Sequence, residues 1–269
     1  MNQTTLADGT PVFCMGRNEA RFLDAQIAAY LDHGIEIEEG QVVFDVGANI
    51  GLFSLRVAQR CNDKTRVYAF EPIPEIYRVA QRNLSSRNHD SVKLLPVGIG
   101  KRDETATLTF YPRVPSLSTA YPRLLASDPG KLSRHVLASC RRLPRRLSWF
   151  RRMPSFASSL IARYLQSRSR KVTCEMVSIS RMIRDHGIPR IDLLKIDNEG
   201  AELDALQGIA AADWPKIRQV VAEVHDVGGR LDQMTRLLRT HGLTGITIDQ
   251  EAGFQGQGLF LLFARRPEA

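Results

Sequence analysis

The chain runs to 269 residues, 43% of them apolar and 25% charged, with a formal net charge of +8. That length and apolar fraction supply the core of one decorated domain or two small ones, and no stretch reaches the roughly 18 apolar residues of a membrane span. The opening MNQTTLADGT lacks a secretory pattern, so a cytoplasmic protein is expected, and the scattered Cys14, Cys61, Cys140 and Cys174 include no C-x-x-C pair, which argues against a zinc or disulfide framework.

Residues 1–40 are read as an N-terminal helical segment, ahead of a domain over 41–269. QVVFDVGANIGLFSLRVAQR reads as a short strand from Val42 to Asp45, a glycine turn, and a helix with Leu52, Leu55 and Ala58 inward. TRVYAFEP gives a second strand ending in Glu71, Ile73 to Arg87 a helix, and SVKLLPV a third strand near Val92 to Val97. TATLTFYP alternates at Ala106, Leu108 and Phe110 and is read as an edge strand.

Pro112 to Lys171 departs from this pattern. It holds 14 Lys and Arg against a single acid, Asp128, while the rest of the chain has 23 bases and 28 acids. Six prolines interrupt the segment, leaving room for short helices around Lys131 to Ser139 and Phe156 to Gln166. It is read as an inserted basic helical cap over 112–171. The sheet pattern then resumes at KVTCEMVSISRMIRDHG and continues through the apolar strands IDLLKID and RQVVAEVHD. Gly228 and Gly229 lead into a helix from Leu231 to Arg239, and GLTGITID and LFLLFAR form an antiparallel pair closing the sheet. Strand and helix alternate as a parallel sheet requires, so the expected fold is α/β, doubly wound, mostly parallel and Rossmann-like.

Chemistry-bearing residues gather at the predicted strand ends, where open α/β sheets bind ligands. In DVGANIG, Asp45 stands at the strand tip and Gly47 and Gly51 flank Asn49. A dinucleotide fingerprint needs glycine where Asn49 stands. The spacing suits instead a methionine-derived sulfonium cofactor, with Glu71 placed to accept both ribose hydroxyls. In LLKIDNEGAELDALQGI, Glu202 and Asp204 read as acids of a helix's first turn. Asp197 and Glu199 are less well explained that way, and point to a cleft shared with VAEVHD, which carries Glu223, His225 and Asp226.

FDVGANIGLFS, AFEPIPE, LLKIDNEGAE and VAEVHD together resemble the FkbM-type family of S-adenosylmethionine-dependent methyltransferases, across roughly Glu19 to Arg265. The sequence EVHDVGGRLDQMTRLLRTHG and the long basic insertion look like members from polyketide and nonribosomal peptide pathways. The resemblance implies a methyltransferase sheet and O-methylation, with Asp45, Gly47, Asn49 and Gly51 shaping the cofactor turn and Glu71 holding the ribose. Gly98 to Lys101 would lie near the adenine, with Val97 and Ile99 on its face. The family's usual KIDVEGAE is KIDNEGAE here, and Asn198 is expected at the rim.

Three readings of the second cluster stay open. His225 is a general base, with Asp197, Glu199 or Glu223 orienting it or the substrate. Alternatively Asp197, Glu223 and His225 bind magnesium or manganese and acidify the hydroxyl. In the third, Glu199 and Asp226 cap helices and His225 is a buried, hydrogen-bonded histidine. The acceptor is expected to be a hydroxylated biosynthetic intermediate. It would be presented by an acidic acyl or peptidyl carrier protein steered by the basic insertion, or it would be a free metabolite or sugar. The Arg clusters around Trp149 and Phe150 also suit RNA binding or modification, which the absence of an aromatic RNA motif disfavours.

Overall fold

In a computed structural model, the described residues are 1–85, 89–119, 164, 167–250 and 258–267. The chain opens with an antiparallel hairpin, β1 (Asn2–Thr5) and β2 (Pro11–Cys14), followed by α1 (Arg17–Ile27) and a 3-10 turn over Ala28–Leu31. Residues 1–40 thus hold the expected helix, over 17–31, behind a hairpin that the sequence reading did not include. The hairpin is set by the Asp8-Gly9 turn: Asp8 Oδ1 accepts the Thr10 N–H at 2.9 Å, and Gly9 adopts φ +88°.

The alternating body follows as β3 (Val42–Val46), α2 (Leu52–Arg60), β4 (Arg66–Phe70), α3 (Pro74–Ser85) and β5 (Val92–Leu95). After the short β6 (Gly98–Ile99) come β7 (Glu104–Phe110), β8 (Arg170–Val177) and α4 (Ile179–Asp185). The chain then runs through β9 (Ile191–Ile196), α5 (Glu202–Gln207), β10 (Ile217–His225), α6 (Arg230–Thr240), β11 (Gly245–Asp249) and β12 (Leu259–Arg265).

Seven strands form the main sheet in the order β11-β12-β10-β9-β3-β4-β5. The five from β10 to β5 are parallel, while β12 and β11 add the expected antiparallel edge. Alternate residues of each strand enter opposite cores, as the period of 2 requires. Val43, Leu193 and Val221 pack with α1, α2 and α3, whereas Phe44, Leu194 and Val220 pack with α4, α5 and α6. A sheet covered on both faces has the near-continuous apolar strands seen in VVFDV and IDLLKI.

The strands on the two sides of the insertion behave differently from their sequence reading. β7 does not edge the main sheet, and β8 does not resume it; they pair antiparallel from Glu104 opposite Met176 to Phe110 opposite Arg170, with β6 alongside β8. The two ends of the insertion satisfy each other's backbone groups, so neither strand needs the main sheet. Apart from Tyr164, the expected cap helices at 131–139 and 156–166, and the Arg cluster of 141–152, lie outside the described residues. Among the described residues no helix is long and apolar enough to cross a membrane.

Chain order places the switch point of the sheet between β3 and β9: successive strands run outward through β4 and β5 on one side and through β10 on the other. A crevice opens there, outside the strand C-termini. The two central strands meet so closely that a Cβ on Gly47, which has φ +74°, would lie 1.8 Å from the Asp197 carbonyl oxygen. Asp197 N–H donates to Val46 O at 3.0 Å, continuing the ladder to the crevice floor.

Candidate active site

The crevice is a cleft bounded by the ends of β3, β4, β9 and β10, by α1, and by residues 115–118 at the foot of the insertion. One wall is largely backbone. The turn after β3 hangs on β4, with the Gly47 and Ala48 N–H groups donating to Phe70 O at 3.2 and 2.9 Å. Asn49 and Gly51 both take left-handed conformations, φ +50° and +82°, which asparagine and glycine tolerate best. Asn49 directs its N–H to Glu71 Oε2 at 3.1 Å, while Glu71 Oε1 accepts the Ile73 N–H at 2.9 Å. Glu71 is 5% exposed and lines the cleft. Burial raises its pKa to about 8, against the opposing pull of those two N–H groups and of Lys195.

Of the residues expected to hold the cofactor, Gly47, Asn49, Glu71, Gly98 and Ile99 line the cleft together. Val97 packs with the core beside α4 to α6. Asp45 and Gly51 are not among the lining residues. Asp45 is fully buried, accepting from Ser54 Oγ at 2.7 Å and pairing with Lys195 Nζ at 3.1 Å, so it supports the turn from behind.

The opposite wall is made of side chains. Carboxylate oxygens of Asp197, Glu199 and Glu223 lie within 4.8 Å of one another. The acid placed in this triplet is therefore Glu199, where the sequence suggested His225. Burial, followed by the charge of Asp197, raises the Glu223 pKa well above the usual carboxylate range and favours its neutral form. His225 instead sits between Glu199 of that triplet and a fourth acid, with Nε2 3.5 Å from Glu199 Oε2 and Nδ1 3.4 Å from Glu202 Oε1. Glu199 is held in a left-handed conformation, φ +53°, and its carbonyl accepts from Thr119 Oγ1. Asp226 accepts the Leu231 N–H at 3.2 Å, a helix-capping role. Asn198 ties the acid turn to the other wall, donating from Nδ2 to Ile99 O at 3.2 Å and Ala201 O at 3.3 Å.

Three residues that sequence reasoning missed complete the arrangement. Lys195, 3% exposed, reaches Asp45, lies 3.5 Å from Asp197, and donates to the Gly47 carbonyl at 2.9 Å. Burial alone would lower its pKa, but Asp45 and Asp197 outweigh that and raise it. Tyr30, buried beneath α1, donates its hydroxyl to Asp197 Oδ2 at 3.0 Å, and burial followed by the nearby acids raises its own pKa well above normal. Glu202 stands in the first helical turn as expected, and is fully buried. A charged residue inside the apolar run LLKI was the one available signal for Lys195.

Residues 45–255 match the Methyltransferase FkbM domain family. The chain is 34% identical, over 97% of its length and 95% of the relative's, to the 31-O-demethyl-FK506 methyltransferase FkbM of Streptomyces tacrolimicus. It is 33% identical to the AMB antimetabolite synthetase AmbE of Pseudomonas aeruginosa over 98% of this chain but only 12% of that protein. Methyltransferase sdnD of Sordaria araneosa is 31% identical over 97% of this chain and 96% of its own. The fold is similar to that of Methyltransferase FkbM from Methylobacillus flagellatus KT, with a TM-score of 0.52 at 15% identity, covering 87% of this chain and 45% of the other.

Lys195→Met removes a cation of similar length and strands two carboxylates. The substitution is expected to destabilise the fold by roughly 3–5 kcal/mol, read as a lower denaturant midpoint. Wild-type stability would show that the ammonium is dispensable.

Proposed function

The chain belongs to the FkbM-domain methyltransferases, S-adenosylmethionine-dependent enzymes, and from that membership we propose that it methylates a hydroxyl oxygen of a carrier-tethered natural-product intermediate. The observation carrying the reading is a single cleft in which the glycine turn and Glu71 face His225 and its acids. The backbone cradle fits the cofactor: its Gly47 and Asn49 line the cleft, and it ends in a carboxylate already oriented by two N–H groups. Glu71 would hold the ribose hydroxyls, and Gly47, Asn49, Gly98 and Ile99 would line the rest. Bound there, S-adenosylmethionine supplies a methyl group on a sulfonium, open to in-line displacement by oxygen.

An alcohol is a weak nucleophile near neutral pH, so the chain must take up its proton. His225 accepts it at Nε2, and Glu199 stands close enough to stabilise the resulting imidazolium. Asp197, fixed by Tyr30 and Lys195, orients the acceptor. Transfer to oxygen is supported by the name of the Streptomyces relative, and an acceptor presented on an assembly line by the match to a small part of a synthetase. A free metabolite or sugar is the rival acceptor: the hexuronic acid methyltransferase AglP of Haloferax volcanii is 24% identical over 76% of this chain and 63% of its own length. The basic cap that would steer an acidic carrier protein is part of this proposal.

A second reading draws on the convergence of Asp197, Glu199 and Glu223. Their oxygens suit magnesium or manganese, which would supply Lewis-acid activation of the hydroxyl. The base reading expects turnover to survive a chelator, and loss of turnover restored by added magnesium or manganese would replace it.

Two measurements test the main reading. Ribose hydroxyls donate to ionised Glu71, so binding must displace its proton whenever the pH is below its pKa of about 8. Cofactor affinity by calorimetry is therefore expected to be full above that pH and to fall by up to about tenfold per unit below it, with Glu71→Gln binding weakly and without this pH dependence. A flat wild-type profile rejects the ribose assignment. Labelled methyl should enter a carrier-bound intermediate in preference to the free one, and His225→Gln should lower kcat by about 10²–10⁴. Label recovered on nitrogen or carbon would overturn O-methylation.

A further inference from the structure

Glu202 begins α5 and accepts the Gly200 N–H through Oε1 at 2.6 Å, a capping contact. Its setting exceeds that role. An acid that only caps keeps its second oxygen in water, whereas Glu202 is 0% exposed and its Oε2 is buried without a hydrogen-bond partner. Burying a carboxylate this way is costly unless a donor or a positive charge offsets it. The group in place to do so is His225, whose Nδ1 lies 3.4 Å from the capping oxygen. On the ring's other edge, Nε2 is 3.5 Å from Glu199 Oε2, and both of those residues line the cleft.

We propose that Glu202 is a positioning residue for His225, holding the ring with its Nδ1 proton on the buried carboxylate so that Nε2 is the nitrogen presented to the acceptor. This rests on His225 being the proton acceptor. The substrate hydroxyl gives its proton to Nε2, the oxygen keeps the electron pair with which it takes the methyl, and the imidazolium so formed is flanked by a carboxylate on each edge. The charged groups around the ring are Glu202 from α5, Glu199 from the turn after β9, Glu223 on the same strand and Asp197 at the end of β9. Arg230 of α6 donates to the Gly200 carbonyl and braces the same turn. The arrangement has the logic of a histidine oriented by an acid behind it, with the acid never touching the substrate.

Glu202→Gln keeps an acceptor for both N–H groups and removes only the charge. Turnover should drop roughly tenfold, because one of the two carboxylates flanking the imidazolium formed in the reaction loses its charge. Cofactor affinity should be unchanged. Glu202→Ala removes the acceptor, and ring ¹⁵N shifts recorded at high pH should move from the Nδ1–H toward the Nε2–H tautomer. Undiminished turnover of Glu202→Gln, or an unchanged tautomer in Glu202→Ala, overturns the proposal. Undiminished turnover of His225→Gln would instead overturn the base reading beneath it, while the ring spectrum of the ligand-free protein still reports on Glu202.

Discussion

A buried ammonium must be neutralised where it stands, and the need to satisfy Lys195 organises the centre of this molecule. Its partners come from both central strands: Asp45 inside β3, Asp197 just past β9, and the carbonyls of Val46 and Gly47 at the start of the glycine turn. Asp197 is then shared with Tyr30, which brings the segment after α1 to the same point. One cation thus fixes the spacing between the glycine turn and the acid wall. Moving either strand end would leave charge unpaired in a region of low polarity, where the penalty is several kcal/mol per ion.

The two walls solve different physical problems. Glu71 stands apart from the other acids and receives two backbone N–H groups, yet burial still lifts its pKa to about 8. Glu223 is lifted by burial and then by the crowd of acids around it. A carboxyl that retains its proton beside Asp197 and Glu199 relieves the repulsion that would otherwise splay the cluster. The cleft therefore has one wall built of main chain and another built of ionisable groups whose proton count adjusts.

Much of this was legible in the sequence, for reasons that differ by residue. Apolar runs such as VVFDV and IDLLKI marked strands buried on both faces, and the residue types at their ends identified Glu71, Asp197 and His225 as cleft residues before any coordinates. What stayed hidden depends on long-range pairing. Tyr30 meets Asp197 across 167 positions, and nothing near Tyr30 announces that contact. Glu202 matched a capping pattern so well that its burial against His225 was masked by a correct but incomplete explanation. Asp45 looked like a ligand because it stands at a strand tip, but alternation turns its side chain away from the cleft toward Ser54 and Lys195. The β7–β8 sheet was misassigned because alternation identifies a strand without naming its partner.

That small sheet has an architectural consequence. Phe110 and Arg170 lie opposite one another at the end of a seven-residue ladder, so the chain leaves and re-enters the body at adjacent points. Because the closure entropy of a loop grows only slowly with its length, a ladder of this kind can accept segments of very different size without a change in the body. The position works as a socket. A segment of another length could be joined between β7 and β8 without moving β3, β4, β9 or β10, the strands whose ends bound the cleft.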